Sequence, residues 1–172
     1  MAENNAWANH RIYGALAALT PAELGADRTS FFPSLRATLK HILLVDWYYI
    51  DALARGGRGR AVADDMLPFE ELGPLREAQR TSDARLVAFV AGLADDTALE
   101  ERVVLARETR DQRERVGDVL LHLFEHQIHH RGQVHAMLSG TRVAPPQLDE
   151  FFLEDELPLR EAELRELGLR VR

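Results

Sequence analysis

Long stretches in which apolar residues recur every three or four positions alternate with short stretches rich in Gly, Pro and charge. That spacing belongs to helices with one buried stripe, and the breaks mark where each helix ends. On this pattern residues 3–19 form a first helix, and "LTPAEL" follows as a turn with a short helical start. "RTSFFPSLRATLKHILLVDWYYIDALARGG" is the clearest helix. Ser30 or Ser34 caps its start, Pro33 suits its first turn, and Gly56-Gly57 stop it. A third helix begins near Pro74 in "GPLREAQRTSDARLVAFVAGLADD". The fourth runs from about Val116 to Leu138 and ends at Ser139-Gly140. "ALEERVVLARETRDQRER" admits two readings: a short strand at Val103–Leu105 with a turn near Thr109–Gln112, or mostly loop. Beyond Pro145-Pro146 an acidic segment carries Leu159, Leu164 and Leu167 at helical spacing, with Phe151-Phe152 placed to cap the bundle.

Four long helices with little strand signal predict an all-α, four-helix bundle, with a short β-hairpin before the last long helix if the strand reading holds. The links between the second and third and between the third and fourth long helices are long. That suits a crossover better than successive hairpins. At 172 residues and 46% apolar, the chain has the material for one core, so a single domain over 1–172 is expected, with segment 146–172 packing on it.

Composition narrows the chemistry. With no cysteine, disulfides, thiolate ligands and cysteine nucleophiles are excluded, and a transition metal must be held by His, Asp or Glu. A net charge of −7 and scattered arginines argue against a nucleic-acid partner; the densest set, "RGGRGR", is a short Gly-rich loop. The longest apolar run, "ILLVDWYYIDAL", is broken by Asp46 and Asp51 and predicts no membrane span. The first residues lack a basic region followed by an apolar run, so a cytoplasmic location is expected.

Five of the seven histidines fall in "HLFEHQIHHRGQVH", residues 122–135. Helical phase separates them. With His122 at zero and about 100° per residue, the apolar face of this helix centres near ~110°. His130 then lies at about 80° and His126 at about 40°, while His122 and His129 sit at the boundary. His135, near ~220°, and Glu125, near ~300°, point to solvent or to another element. His126 and His130 are i and i+4, so their rings share one inward face. Imidazoles facing a core need partners, and a divalent cation supplies them. On the second helix Arg36, Lys40, Trp47 and Asp51 share one side, and His41 faces away from it, inward. His41 is therefore the preferred third ligand over His10. A site of His41, His126 and His130, with a coordination position left open, suits a reactive rather than a structural ion. The alternative is that these are hydrogen-bonded core histidines.

"LLHLFEHQIHHRGQVHAML", with "TLKHILLVDWYYIDAL" and "ANHRIYGALAAL" upstream, resembles the DinB family of DinB/YfiT-like proteins over about residues 5–155. The "HQIHHRGQ" pattern is its most specific part. The resemblance implies an up-down-down-up four-helix bundle, often a homodimer, with a divalent metal, zinc or nickel in many members, on His41, His126 and His130. Iron, manganese or cobalt also suit three imidazoles. The family's usual Asn before the second-helix His is Lys40 here, and the Asn before "HQ" is Glu125. Neither is a ligand in the pattern.

Relatives in the superfamily include S-transferases that use low-molecular-weight thiols, and others resemble metal-dependent hydrolases. The resemblance thus implies a metal-dependent enzyme acting on a small-molecule substrate. The other reading is a non-catalytic metal-binding stress-response protein that works as a dimer. The pattern names no catalytic side chain. Gln127 and His129 are candidates for hydrogen bonds to the ligand rings, and Tyr48 and Tyr49 for pocket walls. Arg131 is expected in a salt bridge, and Gly132 at a close helix approach.

Overall fold

A computed structural model of the chain describes residues 1–65 and 69–171. Four long helices, α1 (Ala2–Leu16), α3 (Leu35–Leu53), α4 (Leu72–Ala91) and α5 (Val116–Ser139), carry the fold, with short helices α2 (Pro21–Gly25) and α6 (Leu157–Glu166). A two-stranded hairpin, β1 (Arg102–Ala106) and β2 (Asp111–Arg115), leads directly into α5. The strand reading of this region is therefore the one that holds. The pairing is antiparallel, Arg102 opposite Arg115 and Ala106 opposite Asp111, so the turn falls at 107–110, slightly earlier than expected. Only β1 shows the alternation that predicts a strand, burying Val103 and Leu105. β2, "DQRER", is polar on both faces and is held by its partner and by the start of α5.

Each helix borders two others. α1 packs on α4 and α5, and α3 packs on the same two, so α1 and α3 lie on a diagonal. Shared core residues give the directions. Leu16 of α1 meets Leu138 of α5, and Ala2 shares a second cluster with Leu120, so these two helices run parallel. Leu39 of α3 shares the cluster of Leu75 and Val134, and Ile50 that of Leu86 and Leu123. α3 and α4 therefore run parallel to each other and opposite to α5. The order is up-down-down-up, and the parallel α3–α4 pair requires the long crossing link that the sequence contains.

Local chemistry explains most boundaries. Thr20 and Glu23 form a reciprocal capping box on α2. Ser34 caps α3, accepting from the Ala37 N–H at 3.1 Å; Pro33 lies before the cap and not in the first turn. Asp51, expected on the charged outer side of α3, is buried. Its carboxylate accepts from the backbone N–H groups of Arg58 (2.9 Å) and Gly59 (3.0 Å), tying down the loop that ends the helix. A Cβ on Gly56 would collide with the Asp51 carboxylate, which is why a glycine stands there. At the C-terminal end Phe151 packs tilted against Trp7 and Leu164 is fully buried, whereas Phe152 and Leu159 are exposed. The Trp7 indole N–H and the Arg11 guanidinium both donate to Glu163 of α6. Among the described residues, no helix is long and apolar enough to cross a membrane.

Candidate metal centre

Antiparallel packing of α3 against α5 brings His41 beside the i, i+4 pair His126 and His130. One ring nitrogen from each lies within 4.8 Å of the other two. The Nε2 atoms of His41 and His126 are 2.9 Å apart. His130 is buried and the other two are half-buried, so the cluster lies just beneath the surface.

The electrostatics are those of crowded, neutral bases. Burial and then the neighbouring His130 pull the His41 imidazole down to about 4. Burial followed by four nearby histidines pulls His126 down to about 3. His130 is lowered by burial, against the opposing hydrogen bond it donates to Gln133. Each ring is thereby kept in the form that offers a lone pair.

Hydrogen bonds orient part of the cluster. His130 Nδ1 lies 2.8 Å from Gln133 Oε1, which can only accept, so the proton sits on Nδ1 and Nε2 is left free. The Gln133 amide in turn reaches His129 Nε2 at 3.1 Å. His126 Nδ1 is buried and has no partner among the described residues. The donor set fits a divalent cation. Three neutral imidazoles converge, and a tetrahedral ion at a typical metal–nitrogen distance of about 2.0–2.1 Å sets its ligand nitrogens roughly 3.3 Å apart. The 2.9 Å spacing of His41 and His126 reaches that value with a shift of a few tenths of an ångström.

Aromatic rings frame the cluster. Phe32, from the segment before α3, lies over His41 with centroids 4.3 Å apart and reaches His130 at 5.7 Å. On the other side His122 stands between His126 and Tyr49, with centroids 6.3 and 5.1 Å apart. The Arg107 guanidinium donates to the Tyr49 hydroxyl at 3.1 Å.

Several neighbours differ from expectation. Gln127 is not hydrogen-bonded to the rings: it donates to Asp46 and accepts from Arg131, deeper in the bundle. His129 packs edge-on against His130, with centroids 4.8 Å apart, and is bonded to the Gln133 amide. Gln133 is legible as i+3 from His130; Phe32, lying outside any helix, offers no periodic signal. Tyr48 donates to the Ala106 carbonyl and anchors the hairpin, while Tyr49 is buried against His122. Among the described residues Arg131 makes no salt bridge. It is buried and donates to the amide oxygens of Asn5, Asn9 and Gln127. Gly132 is exposed with open space around it, so no close helix approach explains it. His10 lies near Glu166, away from the cluster. His135 turns from the cluster to the Pro146 carbonyl, 3.1 Å away, and Glu125 is exposed.

Beneath the cluster all four long helices meet in a polar layer. Asp83 accepts from Asn5 and Asn9 at 3.1 and 2.9 Å, and Gln79 donates to both Asp46 (2.6 Å) and Asp83 (3.2 Å). Gln127 and Arg131 complete the layer from α5. Burial drives Asp83 well above the usual carboxylate range, with the charge of Asp46 adding to the rise. Burial raises Asp46 to about 6, and lowers Arg131 to about 10.

The comparisons agree with this architecture. "Protein DinB" of Bacillus subtilis (strain 168) is 26% identical over 160 residues, spanning 83% of this chain and 86% of the relative. The DinB family profile matches residues 1–162. On that match the chain, a helical bundle with a hairpin before its last long helix and a three-histidine cluster between α3 and α5, belongs to the DinB family.

Proposed function

We propose that the protein is a divalent-metal-dependent enzyme acting on small molecules, as a thiol-dependent S-transferase or a metal-dependent hydrolase. The observation that carries this reading is the convergence of three ring nitrogens, all held neutral, on one point near the surface. His41, His126 and His130 would hold the ion, zinc or nickel by preference. When bound, it supplies Lewis acidity and makes a water or a thiol acidic enough to act as a nucleophile near neutral pH. The protein's own part is positional. Gln133 fixes the tautomer of His130. Phe32 shields His41 from water on one side, and the His122–Tyr49 pair bounds the other, leaving between them the approach for a substrate.

A metal-binding module without catalysis is the second reading, and one observation favours it. The ionisable groups that act on the three rings are other histidines, with no carboxylate among them to serve as a base. Metal content of the purified protein, followed by assays of thiol transfer to a model electrophile and of ester hydrolysis, separates the two. One ion per chain with thiol- or ester-dependent turnover is expected. A metal-loaded protein inert in both assays would leave the binding module, and a metal-free protein would remove both readings.

A further inference from the structure

The face of the bundle opposite the histidines, between α1 and α4, holds a groove of about 600 Å³. That volume lies in the range of small-molecule pockets and far above what a few waters need. One wall is the chain's own C-terminal segment, Leu167–Leu169, which is fastened there. The Leu169 N–H donates to the Leu164 carbonyl at 2.8 Å, and the Arg170 guanidinium to Glu3 at 2.9 Å. None of the three clustered histidines lines this groove.

Its floor is unusual. Tyr13 and Gln79 are almost wholly buried, yet the Tyr13 hydroxyl and Gln79 Oε1 have no hydrogen-bond partner among the described residues. Buried polar atoms are rarely left unpaired, and here two of them belong to side chains lining one groove. Gln79 Oε1 can only accept, so what satisfies it must carry a donor. The walls, at Ala6, Ala84 and Val87, are apolar. The mouth is cationic: Arg76 and Arg80 project one turn apart from α4. Arg80 is paired with Glu77, while Arg76 makes no hydrogen bond to any described residue.

We propose that this groove is a second ligand site, for a small amphipathic anion whose apolar body carries a hydroxyl or N–H donor. The acidic head, a carboxylate, sulfonate or phosphate, meets Arg76 and Arg80. The apolar body lies against Ala84, Val87 and the C-terminal segment. Gln79 Oε1 and the Tyr13 hydroxyl lie just under the floor, so the donor meets them after a small shift of the side chains that cover them. Asp83 at the floor is raised by burial, and its carboxylate is already occupied by Asn5, Asn9 and Gln79.

Titration of the full chain with 1-anilinonaphthalene-8-sulfonate tests this. The dye has a sulfonate, an N–H and two apolar ring systems. One bound dye per chain is expected, with amide shifts confined to α1, α4 and the C-terminal segment. Ala84→Trp, at an exposed position, fills the groove and weakens binding by roughly tenfold or more. Arg76→Glu with Arg80→Glu weakens it comparably without touching the core, and Tyr13→Phe by a few-fold. Chelation of metal leaves the affinity unchanged. No binding by the wild type, unchanged binding in both groove variants, or shifts centred on the exposed Phe31 or Leu121 would overturn the site. A tenfold change on chelation would overturn its independence from the histidines.

Discussion

Neighbouring residues on one helix serve two different polar regions. His126 and His130 face the cluster near the surface; Gln127 and Arg131, the next residues along, face the layer in the interior. α3 makes the same division between His41 and Asp46. The deep layer mixes donors, acceptors and opposite charges, so the protein satisfies most of it by itself. The cluster gathers three copies of one weak base, whose burial and crowding push protons off against the single hydrogen bond to Gln133, and one of whose ring nitrogens has no partner among the described residues. A polar group placed in a bundle can be completed by the protein or by something from outside. These two regions of one bundle show both.

The contrast breaks most severely at Arg131. Arg131→Met removes the layer's cation and strands the amide oxygens of Asn5, Asn9 and Gln127. A loss of roughly 3–5 kcal/mol is expected in urea denaturation, as when one member of a buried charged network is deleted. Metal per folded chain should be retained. Metal lost without loss of stability would mean that the layer and the cluster are a single functional unit.

The converse substitutions act on the cluster. His41→Ala, His126→Ala and His130→Ala should each reduce bound metal to background by elemental analysis. The metal-free variants should unfold within about 1 kcal/mol of the metal-free wild type, since the rings they remove are crowded bases and not partners in a satisfied network. A large stability loss in the metal-free state would make the histidines core residues after all.

A finer comparison sets Gln133 against Gln127. Gln133 holds the His130 tautomer, so Gln133→Ala should weaken metal binding by about 10–100-fold at nearly unchanged stability. Gln127→Ala should do the opposite, costing stability and leaving metal affinity nearly intact. Competition with a chromogenic chelator reads the first effect, and thermal melting the second. Equal affinities in the two variants would remove the positioning role of Gln133.

The cluster was legible in the sequence because it obeys helical phase: an i, i+4 pair on the shoulder of an apolar stripe, and a third histidine facing inward on another helix. The α5 boundaries were legible for the same reason. The polar layer was not, because Asp46, Gln79 and Asp83 are polar residues whose burial depends on partners from four helices, and no single helix reveals that. Asp51 misled for a related reason: a carboxylate that caps the loop following its own helix looks on a wheel like a solvated one. β2 has no apolar alternation and becomes a strand only because β1 pairs with it.

Asp46 gives the mildest and most diagnostic contrast. Its carboxyl is raised from 3.8 to about 6, first by burial and against the hydrogen bonds from Gln79 and Gln127. A folded-state pKa above the unfolded one means that the folded protein holds the proton more tightly. The associated stability is fully present below pH 3.8 and is lost as pH rises through about 6. The histidines act in the other direction: their folded pKa values are depressed, so their stability is present above pH 6.5 and is lost as pH falls toward 4 and 3. In a single chain the two trends overlap, so the useful quantity is the difference between the wild type and Asp46→Asn at matched pH, where the histidine contribution cancels. Asn cannot titrate. The wild type should therefore lose ground to Asp46→Asn as pH rises from about 4 to 7, by an amount read from paired urea melts of metal-free protein. A gap that stays constant over that range would mean that Asp46 keeps one protonation state, with the Arg131 charge outweighing its burial.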